Sequence, residues 1–238
     1  MKSSPDTTSP NFIKKEPPRI TIGHLWEEVL GTLSWDKGFF FTVKMLLLNP
    51  GKAIRDYLQG ERKRYSHPIR FLVFTTAIST YAVIKLDLIN KFYDEAGVLS
   101  IDEAGRQVQQ QLVTFLYQYY NIITFLSIPL LAAFTYLFFL KKGYNYAEHL
   151  VLNAFLVAEG MLLYLVGSLG MYYFPTVFNT MYQFFWAVYI SWGLISFFQL
   201  KTGKGIIKAV LVCLLNLLLM LVIGGVSGFL FMMSHNPA

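Results

Sequence analysis

One carboxylate, Glu159, lies in the middle of a long apolar segment. A charged group there costs about 3 kcal/mol or more unless it is protonated, paired or hydrated, so such residues commonly mark ion or proton pathways. The alternative is a protonated Glu159 that stabilises a helix bundle through a hydrogen bond. Glu148 precedes it by eleven residues, about three helical turns, so both carboxylates share one helix face that could line a polar path. Candidate partners in other segments are Gln118, Asn121, Gln183 and Asn216.

Glu148 and His149 are adjacent at the beginning of the same apolar segment, and Asn153 follows His149 at the fourth position. A histidine beside a glutamate could bind a metal or relay protons. The alternative is a helix cap or a contact to the basic segment, because the second histidine of zinc-protease spacing is missing. The sequence also has no nucleotide-binding loop and no nucleophile elbow, and its single cysteine, Cys213, excludes an intrachain disulfide. We therefore expect no catalytic residue, no metal and no cofactor.

Long apolar segments must position these residues. Hydrophobic residues make up 55% of the 238-residue chain and charged residues only 14%, against about 25% charged in a typical soluble domain. Each segment is far longer than the roughly ten residues of a barrel strand, so helices are expected. The predicted fold is an all-α polytopic membrane protein with cytoplasmic amphipathic and interfacial helices before five transmembrane helices. The predicted spans are Phe71–Ile89, Tyr119–Leu140, Leu150–Phe174, Val177–Leu200 and Ile206–Met233.

The segment before the first span is also patterned. Residues 1–23 are polar and proline-rich without the apolar core of a signal peptide, which predicts a disordered tail. Residues 24–68 then predict short cytoplasmic helices. They comprise an amphipathic helix with Leu25, Val29 and Leu33 on one face, an apolar patch at 39–48 too short to span, and a helix that begins at Asn49-Pro50 and ends by Gly60.

The basic residues predict an orientation. Residues 1–70 hold twelve Lys and Arg, and the successive connections hold three, two, none and three, with none after Met233. This alternation is the positive-inside pattern, with a cytoplasmic N-terminus and an external C-terminus. The cluster against the first span is interpreted as a headgroup contact rather than a nucleic-acid site. Its predicted members are Lys52, Arg55, Arg62, Lys63, Arg64 and Arg70.

Two further features of the sequence suggest a binding partner and a family resemblance. Gly224-x-x-x-Gly228 is typical of helix packing and could mark a face for a homo-oligomer. The runs at 42–72 and 144–155 resemble a bacterial integral-membrane family labelled domain of unknown function 3667. The matching residues are Pro50-Gly51, Arg55-Asp56-Tyr57, Gly60 with Arg62, Tyr65 with Pro68, and Ala147-Glu148-His149.

The resemblance covers about residues 24–230 and implies an inner (cytoplasmic) membrane location without an established activity. Many members carry an N-terminal cysteine-paired zinc ribbon, which this chain lacks, so no metal-binding head is implied here. The five-span plan is also similar to that of the Rab-interacting five-span proteins of Golgi membranes, by analogy of fold alone.

Three functions are compatible with these features. The first is a non-enzymatic membrane module that binds lipids or partner proteins through its basic helices. The second is a small-solute or proton-coupled transporter or channel subunit that uses Glu159. The third is an intramembrane enzyme built around Glu148, His149 and Glu159.

Overall fold

The computed structural model describes residues 38–96 and 103–235, which form helices joined by short turns and contain no strand. Short 3₁₀ turns at Arg62–Arg64 and Leu140–Lys142 connect some of the helices. The predictions for the tail and for the helix with Leu25, Val29 and Leu33 lie outside the described residues. The α-helices are α1 Phe39–Leu48, α2 Pro50–Leu58, α3 Pro68–Lys85, α4 Leu88–Ala96, α5 Glu103–Phe139, α6 Tyr146–Met171, α7 Pro175–Phe198 and α8 Gly203–His235.

Local residue chemistry sets several helix boundaries. Pro50, Pro68 and Pro175 begin α2, α3 and α7, because a proline at the first helical position loses no hydrogen bond and has a helical φ. After α2 the chain reverses at Gly60, whose φ of 104° is in the region that favours glycine. The predicted helix from Asn49-Pro50 to a stop near Gly60 is therefore confirmed.

Within residues 38–96 and 103–235, three helical segments are long and apolar enough to cross a membrane. They are Asn121–Lys142, Tyr146–Met171 and Pro175–Phe198, which correspond within a few residues to the second, third and fourth predicted spans. Since such lengths of apolar helix are typical of membrane spans, they indicate a membrane location. Helices α3 and α8 occupy the first and fifth predicted segments, and their passage through a membrane stays a prediction.

Helix α6 is the centre of the packing. It contacts α3, α5 and α7 along its length, and α1 and α2 near its beginning. Helix α3 runs parallel to it, because the Phe71 ring lies 6.1 Å from the Phe155 ring and Ser79 Oγ donates to the Met161 carbonyl at 2.7 Å further along both helices. Helix α7 runs antiparallel to α6.

The two ends of the bundle differ, and we name them by what packs there. At the docking end, α2 packs against the last residues of α7 and the first half of α6, in which residues 151–160 are all buried. At the distal end are α4, the second half of α6 and the first half of α7. Large apolar side chains there point outward, with Val166 72%, Leu169 68% and Phe184 66% exposed.

Helix α2 is docked more deeply than the sequence predicts. We expected its apolar face, with Ile54 and Tyr57, to rest on the bilayer surface. In the structure Ile54 is fully buried and Tyr57 is 1% exposed, with the Tyr57 ring 5.2 Å from the Phe155 ring of α6. This apolar face therefore packs on the protein itself, since the end of the bundle offers it an apolar surface of its own.

Candidate functional site

The docking of α2 depends on a close approach of two backbones. A Cβ atom added at Gly51 would lie 2.2 Å from the Ser196 backbone carbon and 2.3 Å from the Phe197 nitrogen. Real Cβ atoms do not approach so closely, and backbone atoms at a helix end cannot swing aside as a side chain can. Glycine at this position is therefore what lets α2 rest on the end of α7.

Two cationic side chains donate hydrogen bonds to the backbone carbonyls at the C-terminal end of α7. The last carbonyls of a helix have no partner within the helix, and positive charge is favoured beside them. Arg55 Nη1 donates to the carbonyl oxygens of Ser196 at 2.5 Å and of Phe197 at 2.9 Å. Lys142 Nζ donates to the carbonyl of Phe198 at 2.7 Å. Arg55, one of the predicted headgroup contacts, thus also bonds the protein's own helix end.

The neighbouring Asp56 connects α2 to the turn that follows it. Its Oδ2 accepts hydrogen bonds from Lys52 Nζ at 2.5 Å and from the Tyr65 hydroxyl at 3.2 Å. Burial and the adjacent Asp56 carboxylate together raise the pKa of Tyr65 to about 12. Tyr65 therefore stays a neutral hydrogen-bond donor to Asp56 at physiological pH.

A basic and apolar surface lies beside this contact. We call it the platform and define it as α1 together with residues 62–66. Ser66 N donates to Thr42 Oγ1 at 2.7 Å, and the Arg64 guanidinium lies 4.9 Å from the Phe41 ring, so the two parts are joined. Its exposed side chains are the apolar Phe40, Leu47 and Leu48 and the basic Lys44, Lys63 and Arg64.

The other predicted headgroup contacts lie close to the platform. Arg62 is partly buried over the Tyr57 ring, with 5.9 Å between guanidinium carbon and ring centroid. Lys52 is paired with Asp56 but keeps its side chain 60% exposed. Arg70 lies in the first turn of α3 and is partly buried. Lys63 and Arg64 are both exposed, and Arg64 also pairs with Glu61 at 3.4 Å.

Glu148 forms a helix cap at the start of α6. Its backbone N donates to Asn145 Oδ1 at 2.9 Å, and its Oε2 accepts from the Asn145 backbone N at 2.7 Å. This reciprocal pair is the capping box, in which two otherwise unbonded helix donors are satisfied. The structure thus places Glu148 in the cap that the sequence offered as an alternative to a metal or proton site.

His149 and Asn153 meet Thr135 of α5 in a fully buried cluster. Thr135 Oγ1 donates to the Ala132 carbonyl at 3.0 Å and receives a hydrogen bond from Asn153 Nδ2 at 2.9 Å. His149 Nδ1 lies 3.0 Å from the same oxygen. His149 Nε2 and Asn153 Oδ1 have no hydrogen-bond partner among the described residues.

Glu159 is completely buried. Neither of its carboxyl oxygens has a hydrogen-bond partner among the described residues. Tyr189 of α7 lies within electrostatic range of this carboxyl group, and the Tyr189 hydroxyl donates to the Leu46 carbonyl at 3.4 Å. Next to Glu159, the Trp186 indole packs on Gly160, where an added Cβ would lie 2.7 Å from Nε1.

The candidate partners of Glu159 have different surroundings. Asn121 Oδ1 accepts from Thr80 Oγ1 at 2.6 Å. Asn216 is 2% exposed, and its Oδ1 has no partner among the described residues. Gln183 is exposed, whereas the side chain of Gln118 lies outside the described part. The side-chain surroundings of Gly224 and Gly228 in α8 are outside it as well.

The comparisons with known proteins agree with the resemblance noted from the sequence. Residues 36–80 match the family model described as protein of unknown function DUF3667. The matched residues comprise α1, α2, the turn after it and most of α3, and therefore include the platform and the residues that dock α2. The match confirms the family resemblance over this part of the chain.

No curated protein and no solved structure matches the chain. The similarity to Rab-interacting five-span proteins accordingly stays a prediction.

Sequence reasoning missed several residues at these sites. Lys142 was counted only for orientation and Thr135 was not considered. Gly51 was noted as part of a family pattern, but its contact is with residues about 145 positions away in the chain. A glycine directly after a helix-starting proline was the one local signal for that contact, because glycine weakens a helix unless close packing requires it.

Proposed function

We propose that this protein is a non-enzymatic module of the bacterial inner membrane that binds anionic lipid headgroups through its platform. In this proposal the chain crosses the bilayer five times, through α3, α5, α6, α7 and α8. The N-terminus is cytoplasmic and the C-terminus periplasmic. The platform then lies at the cytoplasmic surface, where the anionic leaflet attracts basic residues.

A single observation carries the proposal. On the platform, exposed apolar side chains stand beside exposed cations on one tightly joined surface. Phe40 is 81% exposed and Leu48 57%, while Lys63 and Arg64 are exposed on the turn that packs against α1. An apolar group that enters the acyl region and a cation that stays at the phosphate level are what a peripheral lipid contact requires.

The contribution of the platform cations to lipid binding can be tested by removing two positive charges either from the platform or from the distal end. Purified protein is titrated with phosphatidylglycerol in neutral detergent, and bound lipid is counted by native mass spectrometry. Each platform cation is worth about 1 kcal/mol near an anionic surface, so Lys63→Gln with Arg64→Gln should weaken binding roughly 30-fold. The matched control is Lys85→Gln with Lys91→Gln, which removes the same charge at the distal end.

The expected result is a loss in the platform variant and little change in the control. Equal losses in both variants would mean that net charge alone retains the lipid. Unchanged binding in the platform variant would contradict the proposal directly.

A second candidate function is favoured by the state of Glu159. Its carboxyl group is completely buried, and within the described part of the chain neither oxygen has a hydrogen-bond partner. Since an unpaired carboxyl group inside a membrane bundle costs free energy, a role in moving ions or protons is the functional explanation. The second candidate is therefore a small-solute or proton-coupled transporter or channel subunit.

Flux measurements in proteoliposomes test this candidate. Glu159→Gln keeps the shape of the side chain but cannot ionise, so it should abolish a pH-driven flux while the thermal unfolding transition remains cooperative. Full flux in a folded Glu159→Gln protein would eliminate the candidate. Glu148→Gln, which changes the capping box at the start of the same helix, provides the control.

A further inference from the structure

The depth of Glu159 in the bundle can be read from the contacts between α3 and α6. Phe71 meets Phe155, and eight residues later on α3 Ser79 meets Met161, six residues later on α6. Glu159 lies four of those six residues along α6. Glu159 is therefore about two thirds of the way from Phe155 to Met161. Two thirds of the way from Phe71 to Ser79 on the parallel helix α3 is close to Thr76, so Thr75 and Thr76 lie at the same depth as Glu159.

These threonines present oxygen atoms to the interior of the bundle. Thr75 is fully buried and Thr76 is 1% exposed. Thr75 Oγ1 donates to the Leu72 carbonyl at 3.1 Å and keeps its lone pairs available. Thr76 Oγ1 has no partner among the described residues. One turn further, Ser79 is already committed to α6, which holds the two helices in close packing at this level.

The atoms at this level that lack a hydrogen-bond partner among the described residues are all oxygens. Glu159 supplies two carboxyl oxygens, and Thr76 supplies a hydroxyl oxygen. Tyr189, the titratable neighbour from α7, has committed its hydroxyl proton to the Leu46 carbonyl. No ion pair involves Glu159 within the described part of the chain, so an ionised Glu159 has no cationic side chain to compensate it.

We propose that Glu159, Thr75 and Thr76 form a binding site for a monovalent metal cation, for which Na⁺ is the probe. Carboxylate and hydroxyl oxygens are hard ligands that suit hard cations. A single positive charge balances the one carboxylate, whereas a divalent ion would leave a net charge buried in the bundle. The proposal rests on the second candidate function, for which it names the ion.

Thermal unfolding in detergent tests cation binding without a transport assay. The protein is held at constant ionic strength while Na⁺ replaces N-methylglucamine, a cation too large for a site between two packed helices. A ligand that binds only the folded state raises the Tm with its concentration, and a saturating Na⁺ site should raise it by about 5 °C. A Tm that does not depend on Na⁺ overturns the proposal.

Variants locate the effect. Glu159→Gln should remove the Na⁺-dependent rise, because the balancing negative charge is gone. Thr76→Val should require roughly tenfold more Na⁺ for half the rise, as one oxygen ligand is lost. Ser168→Ala is the matched control, since Ser168 is another buried hydroxyl on α6 and donates to the Leu165 carbonyl of its own helix.

The outcomes separate this inference from the function on which it rests. If Glu159→Gln fails to fold, the Thr76→Val titration still decides, and an unshifted Na⁺ midpoint overturns the site. Stabilisation that changes with pH but not with Na⁺ means that Glu159 binds a proton, which overturns the cation site and leaves proton-coupled transport standing. A Na⁺ effect that survives in a folded Glu159→Gln protein places the ion elsewhere and also overturns the proposal.

Discussion

The docking end and the distal end share helices α6 and α7, but the contacts that hold these helices differ between the two ends. At the docking end, backbone meets backbone at Gly51, and Arg55 and Lys142 bond the last carbonyls of α7. At the distal end, α4 makes lighter contacts, such as Lys91 Nζ 4.2 Å from the Tyr172 ring centroid and Glu95 accepting from Thr176 N. The first end is a closed protein interface, and the second presents apolar side chains to its surroundings.

This difference teaches where the chain tolerates change. A contact between backbones leaves no room for adjustment, whereas an exposed side chain can move away from a new neighbour. The residues that match the family model include Gly51 and Arg55 at the docking end, and the match continues along α3 to residue 80. Four predictions test whether the docking end is the more constrained of the two.

The largest effect is expected for Gly51→Ala. The added Cβ would collide with the backbone of Ser196 and Phe197, and only displacement of α2 relieves the collision. Overpacking of this kind costs about 3 kcal/mol, so thermal unfolding should shift downward by roughly 8 °C. Gly203→Ala is the control, because nothing lies within 4 Å of its added Cβ. A Tm for Gly51→Ala equal to that of the control would show that α2 is not tightly docked.

A smaller loss is expected when Arg55 is replaced by Met. This change keeps an unbranched apolar stem but removes the guanidinium group, so the carbonyls of Ser196 and Phe197 lose their donor. Losing hydrogen bonds from a charged group typically costs about 2 kcal/mol. Lys52→Met removes a charge from an exposed pair on the same helix and should cost less than about 0.5 kcal/mol. Chemical denaturation in mixed micelles measures both, and similar values for the two variants would refute the role of Arg55 as a helix cap.

The same type of substitution at the distal end sharpens the comparison. At Gly170 an added Cβ would lie 2.2 Å from the Phe178 ring, the same distance as at Gly51. Phe178 is 36% exposed and can rotate outward, so Gly170→Ala should cost only about 1 kcal/mol. A Gly170→Ala protein that is as unstable as Gly51→Ala would remove the distinction between the two ends.

The smallest effect is a dependence on alkaline pH. The folded state holds the Tyr65 proton up to a pKa of about 12, whereas an unfolded tyrosine releases it near pH 10. The stability from this group is therefore complete below about pH 10 and is lost as the pH rises towards 12. Between pH 9 and 11 the Tm should fall by a few degrees more in the wild type than in Tyr65→Phe. Parallel pH profiles for the two proteins would show that Tyr65 has no such role.

Much of the fold could be predicted because helix length and helix starts are local properties. The three apolar spans and the start of α2 at Pro50 follow from composition and from proline chemistry in one stretch of chain. The position of Glu159 within one of these spans follows from the same stretch of sequence, but its burial does not. The partners of these residues were not predictable, because they lie on helices far away in the sequence.

Arg55 illustrates this limit. Its basic neighbours and its position before a span favoured lipid, and no local feature pointed to the end of α7, about 140 residues further on. Glu148 and His149 show the same limit within one dipeptide. The Glu148 side chain caps its own helix, whereas the His149 side chain contacts Thr135 on another helix.

The sequence by itself determined that this chain forms long apolar helices with a basic, short-helical segment before them. Those features arise from the hydrophobic effect and from backbone chemistry, which act along the chain. Only the tertiary structure decided which polar groups are satisfied and which are left open. Hydrogen bonds need atoms within about 3 Å of each other. Helix packing alone brings Arg55 to Ser196, and it leaves the oxygens of Glu159 and Thr76 without partners in the part of the chain that the structure describes.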